Sequence, residues 1–234
     1  MNSITGLRLH HLWRRSWFAL AAAAVWVVLG PVAARADGAP RVVFLGDSLT
    51  AGYGLAQSEA FPAQLATLAH ADGVPIVAVN AGMSGDTSAG ALRRLRWVTN
   101  SQPAVVVVAI GANDGLRGLP VHELERNLAE ILRTLTGLEP RPTIVLAGIK
   151  IPTNFGARYR EQFEAVFPAV AKRFNVPFIP FLLEGVAANP NYNLPDKLHP
   201  NARGHAVIAR HVWKTLKPLL MQQPALDSPS AVFP

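Results

Sequence analysis

Short runs of consecutive apolar residues, many of them β-branched, recur along this chain between longer amphipathic stretches. Residues 41–46 (RVVFLG), 75–81 (PIVAVNA), 104–111 (AVVVVAIG) and 143–148 (TIVLAG) are four such runs. A strand with one wet face alternates polar and apolar. A strand apolar on successive positions must be covered on both faces. A fifth run, residues 176–181 (VPFIPF), holds two prolines and suits a sheet edge, since proline donates no ladder hydrogen bond. Between the runs the period lengthens. Val121, Leu124, Leu128, Ile131, Leu132, Leu135 and Leu138 recur at helical spacing with Glu and Arg between them. Residues 157–174, the stretch after Asp86 and residues 200–220 also read as helices, with Pro200 suited to the first turn of the last one. Strand and helix alternating five times predict an α/β fold: a parallel sheet with helices on both faces.

The first 36 residues do not belong to that pattern. A basic start (Arg8, Arg14, Arg15) precedes thirteen unbroken apolar residues, 17–29 (WFALAAAAVWVVL), and then Ala34-Arg35-Ala36. This is the composition of a secretory signal peptide cut after Ala36. Thirteen apolar residues are short for a membrane span, which needs about 20. Arg14-Arg15 has the pair of a twin-arginine signal, but its flanks fit that signal poorly. One domain is expected from residue 37 to 221, and a tail without regular structure over residues 222–234.

The leader changes what the charge means. The whole chain carries +7, from 22 Lys+Arg against 15 Asp+Glu. Four arginines and no acids leave with residues 1–36, so +3 remains. That balance, with no basic run, argues against a nucleic-acid partner. Cysteine is absent, which excludes disulfides, thiolate nucleophiles, Cys-ligated metals and a lipid anchor on cysteine. The chain holds seven histidines, scattered and without a His-Glu-x-x-His pattern, so no metal site and no cofactor is expected.

In an open parallel sheet, ligands sit at the carboxyl ends of the strands. The loops there carry four signals. Ser48 follows the first strand in Gly46-Asp47-Ser48-Leu49, where a serine serves as nucleophile or as helix cap. The second loop, Ser84-Gly85-Asp86-Thr87-Ser88, offers the backbone N–H of Gly85 to a ligand, while Asp86 and Thr87 suit helix caps. In the third, Gly111-Ala112-Asn113-Asp114, the Asn113 amide is an oxyanion donor or a turn former. Before the last helix, Asp196 lies three residues ahead of His199, a spacing that lets a carboxylate orient the imidazole, or simply caps a helix. Each signal alone is modest. Together they supply a nucleophile, a base, an orienting acid and oxyanion donors at one sheet edge.

Those four blocks, in that order, resemble the SGNH hydrolases of the GDSL lipase/esterase superfamily over about residues 41–220. The extended blocks Gly46–Tyr53 (GDSLTAGY), 84–88 (SGDTS), 113–118 (NDGLRG) and 151–159 (IPTNFGARY) are similar to a bacterial periplasmic subgroup of thioesterases, lysophospholipases and arylesterases. The resemblance implies a flavodoxin-like three-layer α/β/α sandwich with a five-stranded parallel sheet. It implies Ser48 as nucleophile, His199 as base and Asp196 as its partner, with the backbone N–H groups of Ser48 and Gly85 and the Asn113 side chain as the oxyanion hole. Many relatives have a second glycine where this chain has Ala112. The implied substrate is a small acyl ester, thioester or lysophospholipid; the implied protein is exported, without a stable membrane anchor. A carbohydrate acetylesterase of the same superfamily, or a binding module that keeps the fold without catalysis, are the competing readings. Asp47 and Asp86 are expected to be structural, Arg117 to be a surface residue, and residues 115–120 and 151–159 to shape the acyl pocket.

Overall fold

Five strands form one parallel sheet in the order β2-β1-β3-β4-β5. They are β1 (Arg41–Gly46), β2 (Val77–Gly82), β3 (Val105–Ala109), β4 (Thr143–Ala147) and β5 (Phe178–Ile179). The computed structural model describes residues 38–222. The expected leader, and all of the expected tail except Gln222, lie outside the described residues.

The three middle strands behave as their composition demands. Every residue of β3 is buried, as are all but the first of β1 and of β4. β2 departs from the expectation of a strand covered on both faces. It is an edge strand, most of its residues are partly or well exposed, and Val77 is 47% exposed. An apolar run therefore reports β-propensity before it reports position in the sheet. β5 is the opposite edge, and Pro177 and Pro180 confine it to two residues.

The helices are α1 (Ser48–Ala51), α2 (Phe61–Ala71), α3 (Ser88–Arg93), α4 (Leu95–Asn100), α5 (Ala112–Leu116), α6 (Val121–Thr136), α7 (Ala157–Phe174) and α8 (Ala202–Met221). The chain steps one way from β1 to β2, and the other way from β3 to β4 to β5. Right-handed crossovers then place α2 on one face and α3, α6 and α7 on the other. The packing agrees: α2 lies on α8, while α3 packs on α6 and α6 on α7. The last helix starts later than its proline suggests. Asn201 is the N-cap, its side chain accepting from the Gly204 N–H at 3.0 Å, and Pro200 lies outside the helix.

The reversal of direction falls between β1 and β3. Adjacent connections diverge there, and at such a switch point open α/β sheets bind their ligands, beyond the carboxyl ends of the strands. Ser48 follows β1 directly and Asn113 lies just beyond β3.

Candidate active site

The first loop turns straight from strand to helix. Asp47 is the N-cap of α1, and its carboxylate accepts from the Leu49 N–H at 3.0 Å. The capping role open to Ser48 thus falls to its neighbour. Ser48 becomes the first helical residue and is 8% exposed. Asp47 is fully buried. Burial pushes its carboxyl up to about 7, against the opposing pull of the Leu49 and Ala112 backbone N–H groups.

The segment before α8 brings in a histidine from far along the chain. His199 Nε2 lies 3.0 Å from Ser48 Oγ, and His199 Nδ1 lies 2.7 Å from Asp196 Oδ2. The other Asp196 oxygen accepts from the backbone N–H groups of Leu198 and His199, at 2.9 and 3.0 Å. Burial works to raise the Asp196 carboxyl. The His199 and Leu198 N–H groups and the His199 ring outweigh it and hold the group at about 2. The segment is itself secured: the Leu194 N–H donates to the His199 carbonyl at 2.7 Å, and Asn193 Nδ2 to the Val186 carbonyl at 2.7 Å.

Two further loops close on the same point. The Met83 N–H donates to the Gly46 carbonyl at 3.1 Å, holding the loop after β2 against the end of β1. Gly85 has φ +81, a left-handed conformation that a side chain would strain. Asn113 Nδ2 donates to the Asp86 carbonyl at 2.9 Å, which ties the loop after β3 to the loop after β2. Among the described residues, nothing accepts from the backbone N–H of Ser48 or Gly85, and Asp86 is the one acceptor for the Asn113 amide. The second N–H of that amide is left to point elsewhere.

Several residues that sequence reasoning passed over hold these loops. Arg94 donates to Asp86 Oδ2 at 2.7 Å, to the Ala81 carbonyl at 2.7 Å and to the Gly46 carbonyl at 2.8 Å. One guanidinium so binds the ends of β1 and β2 to the loop between β2 and α3. Asp86 is spent on that pair, and Thr87 caps α3. Behind Asn113, the buried Asp114 accepts from the Ser88 N–H at 2.8 Å and the Ser88 hydroxyl at 2.5 Å. Asn127 of α6 completes this network by donating to Ser88 Oγ at 3.0 Å. Burial raises the Asp114 carboxyl despite the Ser88 bonds. Arg117 is exposed as expected, yet it is more than surface: Nη2 donates to the Gly85 carbonyl at 2.8 Å. A periodicity argument cannot see such bonds, because each joins residues of different loops or elements and leaves no repeat in the sequence.

The two loops expected to shape the pocket touch each other. A Cβ on Gly115 would meet Ile151 Cγ2 at 2.5 Å, and the Tyr159 hydroxyl donates to the Leu119 carbonyl at 2.7 Å. Among the described residues, no three His, Asp or Glu side chains are grouped to hold a metal ion. None of the described helices is long and apolar enough to cross a membrane. A hydroxyl bonded to an imidazole that is backed by a carboxylate, beside unclaimed N–H donors, is chemically equipped for acyl transfer.

Comparison with known proteins agrees with the geometry. The model of the GDSL-like lipase/acylhydrolase family matches residues 44–207. Thioesterase 1/protease 1/lysophospholipase L1 of Escherichia coli (strain K12) is 40% identical over 187 residues, 80% of this chain and 88% of that protein. Esterase TesA of Pseudomonas aeruginosa is 38% identical over 183 residues, 78% of this chain and 90% of that one. Among solved structures, the psychrotrophic esterase EstA from Pseudoalteromonas sp., inhibited by monoethylphosphonate, superposes with a TM-score of 0.73 at 33% identity, covering 78% of this chain and 99% of that chain.

Proposed function

The chain belongs to the GDSL-like lipase/acylhydrolase family and is a hydrolase acting on ester bonds; from that premise we propose that it cleaves carboxylic esters and thioesters of acyl chains through Ser48, His199 and Asp196 and a covalent acyl-enzyme. The observation that carries the reading is the continuous hydrogen-bond chain from Ser48 Oγ through both ring nitrogens of His199 to Asp196 Oδ2, with links of 3.0 and 2.7 Å.

The chemistry follows from that chain. As Ser48 Oγ attacks the carbonyl carbon, its proton moves to His199 Nε2. Asp196 holds the ring through Nδ1–H and stabilises the imidazolium that forms. The negative charge grows on the former carbonyl oxygen, which the N–H groups of Ser48 and Gly85 and the Asn113 amide are proposed to receive. The imidazolium then protonates the leaving alcohol or thiol, and the C–O or C–S bond breaks. Water enters, gives its proton to His199 and attacks the acyl-enzyme. Collapse of the second intermediate returns the proton to Ser48 Oγ and releases the acid. None of these steps calls for a metal or cofactor.

The relatives named above act as thioesterase, lysophospholipase and esterase by name, and a phosphonate inhibitor of one of them suits a serine nucleophile. Export with removal of residues 1–36 is part of the proposal. It favours a lysophospholipid or simple ester as natural substrate over a coenzyme A thioester, which an exported enzyme would not meet. The test is hydrolysis of p-nitrophenyl esters of increasing chain length by wild type and Ser48→Ala. The expected result is loss of turnover in the variant at every length. A Ser48→Ala enzyme as active as wild type would overturn the assignment, and activity confined to acetyl esters would favour a carbohydrate acetylesterase.

A further inference from the structure

Tyr53 takes no part in the steps above, yet its ring lies against the histidine. The two ring centroids are 4.4 Å apart and the planes are tilted by 34°. The residue is 51% exposed, so burial does not explain its place. The backbone does. Gly52 ends α1 in a left-handed conformation, φ 80, and donates its N–H to the Ser48 carbonyl at 3.1 Å; the Tyr53 N–H reaches the same carbonyl at 3.2 Å. The turn that presents Ser48 therefore also presents Tyr53. His199 arrives from the segment before α8 and lies against both.

The imidazole has partners at both nitrogens and on one face. Its two nitrogens face Ser48 and Asp196, and Tyr53 covers a ring face. Rotating the ring away from Ser48 would break the contact with the phenol ring as well as the bond to Asp196. The contact also discriminates between charge states. An aromatic face attracts a cation within about 6 Å of its centroid through the ring quadrupole, and a neutral imidazole gains less. His199 is neutral before attack and cationic as the tetrahedral intermediate forms, so the attraction grows along the reaction coordinate, as transition-state stabilisation requires.

We propose that Tyr53 is a positioning residue for hydrolysis, its ring holding the His199 imidazole in line between Ser48 and Asp196 and favouring the imidazolium. This rests on the reading of Ser48, His199 and Asp196 as the reacting set. The titratable and charged groups facing His199 are Asp196 from its own segment, Tyr53 from the turn after α1, and His205 from α8, which shares a charge interaction with it.

The test compares wild type, Tyr53→Phe, Tyr53→Leu and Ser48→Ala on one p-nitrophenyl ester as a function of pH, with thermal unfolding of each. Tyr53→Phe keeps the ring face and should keep the wild-type kcat. Tyr53→Leu keeps an apolar cover without the quadrupole. It should lose about two- to fivefold in kcat at unchanged KM, and the acid limb of its kcat/KM profile should move down by about half a pH unit. Wild-type kinetics in Tyr53→Leu, a loss shared equally by Tyr53→Phe, or a change in KM alone would each overturn the role of the ring. The Ser48 control separates the two levels: turnover in Ser48→Ala would overturn the underlying catalytic reading, whatever Tyr53 does.

Discussion

Asp47 illustrates how much one residue of this site does beyond its place in a motif. Its carboxylate caps the turn that carries Ser48 and is fully buried, and burial raises its carboxyl from 3.8 to about 7. The folded state then keeps its proton to higher pH than the unfolded chain. The contribution of Asp47 to stability is complete below about pH 4 and is lost as pH rises toward 7. Asp47→Asn keeps an oxygen for the Leu49 N–H and removes the titration. In urea unfolding the variant should gain on wild type between those two pH values; a constant difference would contradict the account. Asn113 belongs to the same scale. If its second N–H receives the oxyanion, Asn113→Ala should lower kcat by about 10²–10³-fold, near 2.7–4 kcal/mol, with little change in KM. A rise in KM at constant kcat would make it a binding residue.

At the scale of the element, α2 has an unusual start. Its N-cap is Ala60, which has no side chain to offer, and the Phe61 N–H donates instead to His205 Nδ1 of α8 at 3.0 Å. That nitrogen accepts only while the ring is neutral. Burial, and next the charge of His199, pushes His205 from 6.5 down to about 4. Here the folded pKa is depressed, so the unfolded chain takes the proton first as pH falls, and stability is lost from about 6.5 down to about 4. His205→Leu should cost about 0.5–2 kcal/mol at pH 7.5, the range of a lost N-cap, and its unfolding curve should lack that part of the acid decline. Equal stability at pH 7.5 would mean that the cap contributes nothing. This element also shows where sequence reading stops. The long helices α6 and α7 were legible because burial writes a helical period into their residues, and the strands because runs of apolar, β-branched residues mark them. The cap on α2 was not, since its two halves are 144 residues apart. Pro200 misled for a related reason: a proline before an Asn cap and a proline at the first helical position look alike until the cap's hydrogen bond is seen.

For the whole molecule, the topology explains why scattered motifs converge. Ser48, Asn113 and the Gly85 loop follow neighbouring strands β1, β3 and β2, so the strand order alone brings them to one edge. Their residue types and positions were legible in the sequence. The clamps that fix their distances, Arg94 and the Ser88–Asp114–Asn127 network, were not, because each links loops rather than periods. Among the described residues the core runs from Val42 to Leu220, and the family match spans 44–207. A chain cut to residues 37–222 should therefore keep the unfolding midpoint and the esterase activity of the longer protein, measured by thermal unfolding and p-nitrophenyl ester hydrolysis. A lower midpoint would show that residues outside that range contribute to the fold.

The central claim is that Ser48 forms a covalent bond to the acyl group. It is tested most directly by treating the protein with a p-nitrophenyl phosphonate, which leaves a stable tetrahedral adduct on an activated serine, and mapping the adduct by peptide mass spectrometry. One phosphonyl group per chain, on Ser48 and absent from Ser48→Ala, is the predicted result. An adduct on another residue, or none on a protein that still turns over esters, would contradict it.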